Sequence, residues 1–138
     1  MDNRESINPL LMDQFGFLRQ YGFQFLSFDI GENKGGYWSI RFQSNVCLLE
    51  VYNIEDQADI LFYPLDATSD ERYGIMTFVY YISAGEKFVG YYKGNTSNWE
   101  IYKTDISNWR KQIEWIADIL KEYLDKIIKI MKALPSHR

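Results

Sequence analysis

Ile106, Trp109, Ile113, Ile116, Leu120, Tyr123/Leu124, Ile127 and Met131 recur at alternating spacings of three and four. A strand cannot gather that period on one face, whereas a helix can. Thr104 or Asp105 is placed to cap its start, and Pro135 stops it. After Asp125 the charges are Lys126, Lys129, Lys132 and Arg138, which complement the negative end of the helix dipole. At 1.5 Å per residue, about 28 residues make a rod of roughly 40 Å, long enough to cross a small sheet. The stripe is apolar and aromatic, so the helix is a core element first and needs a broad apolar surface to lie on.

The residues before it supply such a surface. Trp38, Ile40 and Phe42 alternate with Tyr37, Ser39, Arg41 and Gln43, which is a strand with one apolar face. Phe23, Phe25, Phe28 and Ile30 make an earlier strand whose phase slips near Leu26-Ser27, the mark of a bulge. Gly31 to Gly36 is a turn between the two. Ser44-Asn45 allows a tight hairpin into a strand from Val46 to Tyr52, apolar on both faces except at Glu50. A turn at Asn53 to Gln57 leads to a strand through Ile60 and Phe62, and Pro64 marks its end or an edge. These segments predict a four-stranded antiparallel meander.

A helix precedes the meander. Asn8 is placed to cap it, Pro9 suits its first position, and Leu11, Phe15 and Leu18 share a face. Gly22 ends it in a left-handed conformation. Between meander and long helix the pattern is divided. Ile75, Phe78, Val79 and Ile82 have helical spacing after a cap at Asp70, although Thr77 to Ile82 has strong β propensity. A short helix is the preferred reading. Phe88 to Tyr92 and Trp99 to Tyr102, around Gly94-Asn95, could pair as a second hairpin that extends the sheet. The whole is a single α+β domain over residues 1–138, with helix and hairpin both open over 70–104.

Composition narrows the function. The chain of 138 residues carries a net charge of −4 and a pI near 5.0, which disfavours nucleic acid and anionic membrane surfaces. It has one cysteine, Cys47, set between Val46 and Leu48 as a small strand hydrophobe, so no internal disulfide is expected. The start has no signal-like h-region and no apolar run reaches 18 residues, so a cytoplasmic protein is expected. The single histidine, His137, is second from the end, which leaves no positioned imidazole for a triad and too few ligands for zinc. There is no GxGxxG and no GxxxxGK[ST] loop. No catalytic residue, metal or cofactor is expected.

Carboxylates and aromatics remain. Six acids with no Lys or Arg among them lie between Ile54 and Arg72: Glu55, Asp56, Asp59, Asp66, Asp70 and Glu71. They could meet a basic partner, serve as an acid pair, or simply solvate loops. Glu50 interrupts an apolar strand; it either faces solvent or takes Arg41 of the next strand as partner, with a catalytic acid as the sharper reading. Residues 73–102 hold six Tyr (73, 80, 81, 91, 92, 102), two Phe and Trp99. Such residues build cores, line cavities and anchor interfaces. The candidate interaction surface is therefore the six acids with Tyr80, Tyr81, Tyr91, Tyr92 and Trp99.

The stretch Phe15-Gly16-Phe17-Leu18-Arg19-Gln20-Tyr21-Gly22-Phe23, running into a meander closed by a long helix, resembles small uncharacterised bacterial proteins, some immunity-like and encoded near polymorphic toxins. In size, acidity and order of elements the chain also resembles secretion-system chaperones. These resemblances imply a non-enzymatic protein that binds another protein, plausibly a basic one, with a homodimer left open. They carry no site residue across. The other reading from the residues is a small-molecule binder with an aromatic cavity between sheet and long helix.

Overall fold

A computed structural model describes residues 3–30, 38–54, 57–65, 71–83 and 106–134. It is an α+β fold. Helix α1 spans Asn3–Phe15 and tightens into a 3-10 turn over Gly16–Tyr21. Strands β1 (Gln24–Ile30), β2 (Trp38–Gln43), β3 (Cys47–Ile54), β4 (Gln57–Pro64) and β5 (Tyr73–Gly74) form one antiparallel sheet in chain order. Helix α2 (Ile75–Ile82) follows β5, and helix α3 (Ile106–Ala133) closes the described chain.

Each element has a local cause. Gly22 sits at φ 87° and its N–H reaches the Arg19 carbonyl at 3.0 Å, while the Phe23 N–H reaches Leu18 at 3.1 Å. This paired closure of a helix end needs a left-handed residue, which glycine supplies without strain. The slip in β1 falls between Phe25 and Ser27, as the phase change predicts. In the hairpin after β2, the Ser44 hydroxyl accepts the N–H groups of Val46 and Cys47 at 3.1 and 3.2 Å. The Ser44 N–H itself donates to the Cys47 carbonyl at 3.0 Å. Ser44 thereby does the work of an extra turn residue.

Three expectations change. The first helix starts at Asn3, not at Asn8-Pro9, and runs through the proline. Proline's fixed φ of about −65° is helical, so it forfeits one rung of hydrogen bonding rather than ending the helix. Asn8 is no cap: its Oδ1 is buried with no hydrogen-bond partner among the described residues. The meander has five strands, not four, because Tyr73 and Gly74 pair with Phe62 and Leu61 along the free edge of β4. Helix α2 is capped at Gly74 rather than Asp70, which lies outside the described residues, as does the second hairpin expected over 84–104.

The register stacks Ile40, Val51 and Ile60 in one row and Phe42, Leu49 and Phe62 in the next. All six are buried on the same face. Helix α3 packs on that face; α1 lies against α3, and α2 against both α3 and β4. On α3, Ile113, Ile116, Leu120, Leu124 and Ile127 are fully buried, as the stripe predicts. The rings of Phe62 and Phe78 meet edge to face at 5.4 Å and 89°. That contact explains why tertiary packing overrides β propensity in α2. A polar tie joins the layers: the Ala58 N–H donates to the buried Gln112 side-chain oxygen. Leucine at position 112 would leave that N–H without its partner.

Candidate interaction surface

The face of the sheet away from the core carries a polar network at its centre. Arg41, Glu50 and Leu61 stand opposite one another on β2, β3 and β4. Arg41 Nε donates to Glu50 Oε2 at 3.1 Å, and the Tyr63 hydroxyl donates to Oε1 at 2.8 Å. Glu50 is therefore not the solvent-facing acid that was one expectation. Its side chain is only 8% exposed, against 47% for Arg41. The Arg41 partnership was readable from the sequence, because adjacent antiparallel strands place those positions face to face.

Asp59 and Tyr52 form the next row. Burial pushes the Asp59 carboxyl up to about 6, against the opposing hydrogen bond from the Ile60 N–H at 2.8 Å. Burial, with the charges of Asp59 and Glu50, pushes the Tyr52 phenol up to about 12. Burial and its bond to Glu50 do the same to Tyr63. Both phenols are therefore neutral hydrogen-bonding groups well beyond neutral pH. On Cys47, burial lifts the thiol to about 11, so it is a packing group and no nucleophile.

The Asp59 shift has a consequence for stability. The carboxyl prefers its proton when folded and loses it at about 3.8 when unfolded. Its contribution is thus present below pH 4 and lost as the pH rises through 6. A shift of about two units caps the effect near 3 kcal/mol, and access of water to this half-buried group brings it nearer 1–2 kcal/mol. Asp59→Asn, which keeps the acceptor for Ile60, is expected to raise stability by about 1–2 kcal/mol at pH 7. Urea unfolding at pH 4 and pH 7 checks it. An equal effect at both pH values would show that the carboxylate is not penalised by the fold.

The second feature lies at the far end of the core layer. There α2, β5 and the last turns of α3 leave an open apolar groove of about 400 Å³. Tyr73, Thr77, Phe78 and Tyr81 line one side; Ile130, Ala133 and Leu134 line the other. Phe78 belongs to the core, but Tyr81 is 73% exposed and its neighbour Tyr80 is 53% exposed. Helical geometry causes this division, since consecutive residues point 100° apart and Phe78 and Val79 take the buried side. A second hollow of about 550 Å³ lies beside the β1 bulge. Phe25 and Leu26, about half exposed there, share it with Gly22, Gln24, Gln43, Ser44 and Asn45, none of them titratable.

No family model matches this chain. Searches of curated proteins and of solved structures return no match either.

The expected surface divides accordingly. Tyr80 and Tyr81 are both exposed on α2, and Tyr81 lines the groove. Asp59 lies on the opposite side of the sheet beside Tyr52, and Glu71 is half-buried just before β5. Glu55, Asp56, Asp66, Asp70, Tyr91, Tyr92 and Trp99 lie outside the described residues. Among the described residues no group of three His, Cys, Asp or Glu side chains could hold a metal ion. No described helix is long and apolar enough to cross a membrane.

Sequence reading missed the groove wall on α3. A signal exists: Ile127, Ile128, Ile130, Met131 and Leu134 are apolar over a wider arc than the core stripe needs. Ile127 and Met131 are buried, whereas Ile130 and Leu134 are only partly covered.

Proposed function

We propose that this chain is a non-enzymatic protein-binding domain whose docking surface is the groove between α2 and the end of α3. The observation that carries it is Tyr81, 73% exposed on the lip of an apolar groove. Ordering a tyrosine at a contact costs little side-chain entropy, and its ring brings apolar area with a polar tip. A partner that covers Tyr80, Tyr81 and the groove floor turns that exposed area into binding energy.

The test uses the whole chain as bait, in wild-type form and as Y80A/Y81A, against an extract of its native host. A partner held by the wild type and released by the variant, at unchanged thermal midpoints, supports the reading. A partner held equally by both moves the docking surface elsewhere, and the absence of any specific partner removes the reading. The likeness to immunity-like proteins would make that partner a toxin, and a toxin encoded beside this chain is the first bait to try.

The groove volume also favours a second reading, a small apolar ligand, because pockets for such ligands begin at about 300 Å³. The groove lies at the edge of the sheet, with Tyr73 of β5 in its wall beside α2 and α3, and it is open to solvent. Enclosure is what gives small ligands most of their affinity, so the protein-binding reading is preferred.

A further inference from the structure

Strand β1 is an edge of the sheet: β2 pairs along one side of it, and no described strand pairs along the other. It reads Gln24-Phe25-Leu26-Ser27-Phe28-Asp29-Ile30, with neither the lysine nor the proline that commonly guards such an edge. Phe25 and Leu26 are about half exposed, and none of residues 24–29 is buried. Trp38, Ile40 and Phe42 on the adjacent strand are all buried. The slip between Phe25 and Ser27 blunts the start of this edge and leaves Ser27 to Ile30 regular.

The hairpin after β2 decides which backbone groups face outward. The Ser44 N–H donates to the Cys47 carbonyl, so these two residues form a hydrogen-bonded pair. Such pairs alternate along an antiparallel ladder. Phe42 and Ile40 therefore bond to Leu49 and Val51, while Arg41 and Ser39 turn to β1, where Ser27 and Asp29 oppose them. The N–H and C=O groups of Phe28 and Ile30 are then directed away from the sheet, and groups so placed take another strand.

We propose that β1 pairs antiparallel with β1 of a second copy of this chain, about a two-fold axis at Phe28, so that the two sheets become one. That register sets each Ser27 opposite Asp29 of the other copy. A two-fold axis at Asp29 would instead set the two carboxylates face to face. The register also extends the row of Glu50, Arg41 and Ser27 to Asp29 of the second copy. Strands lie about 4.8 Å apart, so Arg41 and that aspartate stand about 10 Å apart across the small Ser27. Arg41 is 47% exposed and long enough to lean over Ser27 toward the carboxylate. Each copy thus offers a cation on β2 and an anion on β1, and a two-fold pairing matches them twice. The groove beside β5 lies at the opposite edge of the sheet, so this pairing is independent of it.

Sedimentation velocity on the full chain, from about 5 to about 500 µM, tests the pairing. A monomer–dimer equilibrium is expected, with a Kd on the order of tens of micromolar, as a small interface gives. Asp29→Arg, made at an exposed side chain, should weaken it at least about tenfold. Phe28→Pro removes an outward N–H that no described strand uses, so it should weaken the dimer as much and keep the sheet. Thermal midpoints of the dilute proteins check that both variants fold; if Phe28→Pro does not, Asp29→Arg decides alone. Y80A/Y81A should leave the dimer unchanged.

A wild-type chain that stays monomeric to about 500 µM overturns the proposal and leaves the groove reading standing. A dimer that folded Asp29→Arg leaves intact overturns it as well. A dimer lost in Y80A/Y81A but kept in Asp29→Arg puts the second copy in the groove, which overturns the pairing and supplies the groove with its partner.

Discussion

Ile116→Asp is expected to leave the protein unfolded at 25 °C. Ile116 is fully buried at the middle of the α3 stripe, where the helix crosses the sheet. The substitution removes the transfer energy of an isoleucine, roughly 2–3 kcal/mol, and puts a carboxyl among apolar side chains. That group must either take up a proton at neutral pH or drag the helix off the sheet, at a further several kcal/mol. A sum above about 5 kcal/mol meets the whole stability of many domains. Near-UV circular dichroism should lose its aromatic signal and the thermal transition should vanish. Asp118→Ala, two residues away on the exposed side of α3, should shift the midpoint little. An unchanged midpoint for Ile116→Asp would mean that α3 is not the element that closes the core.

The second large effect is an asymmetry in the Arg41–Glu50 pair. Arg41→Leu is expected to cost about 2–3 kcal/mol. It leaves a carboxylate whose side chain is 8% exposed with the Tyr63 hydroxyl as its remaining partner among the described residues. Glu50→Met should cost less than about 1 kcal/mol, because half-exposed Arg41 can turn to water and the thioether fills the space. The double variant should return close to the wild type. Urea midpoints at pH 7 measure all three. Equal costs for the two single variants would show that Glu50 bears no desolvation penalty to be relieved, and that this is an ordinary surface pair.

How much of this was legible follows from how local each cause is. The stripe on α3, the slip at Leu26-Ser27, the stop at Gly22 and the hairpin at Ser44 are written within a turn or two of chain. So was the helix at α2, where spacing and β propensity disagreed and spacing prevailed, because Phe78 finds Phe62 and Tyr73 to pack on. The start of α1 was misread because a cap signal and a proline mimic a helix N-terminus in mid-helix. Strand β5 has two residues, too few for any period, and exists only because the edge of β4 is there to pair with.

The site was less legible than the fold. Arg41 with Glu50 could be anticipated from register alone. Asp59 looked like one acid among six in a polar run, yet strand pairing places it in a half-buried row beside Tyr52. The groove joins residues 73–81 to residues 130–134, and no local pattern announces a meeting across some fifty positions. Of its lining residues, Tyr81 is one of the tyrosines that the sequence singles out.

The order of the sheet also bears on how the chain is made. Every strand pairs with its neighbour in sequence, so β1 to β4 can assemble as soon as residue 64 has left the ribosome. Their apolar face is covered by α3, which begins at Ile106. From residue 64 to the end of α3 is about 70 residues, and at roughly 5–20 residues per second their synthesis takes about 4–14 s. For that interval a nascent sheet displays Trp38, Ile40, Phe42, Leu49 and Phe62 with no α3 to lie over them. Ribosome-bound chains stalled before Ile106 should accordingly recruit holding chaperones, and chains stalled well beyond Ala133 should not.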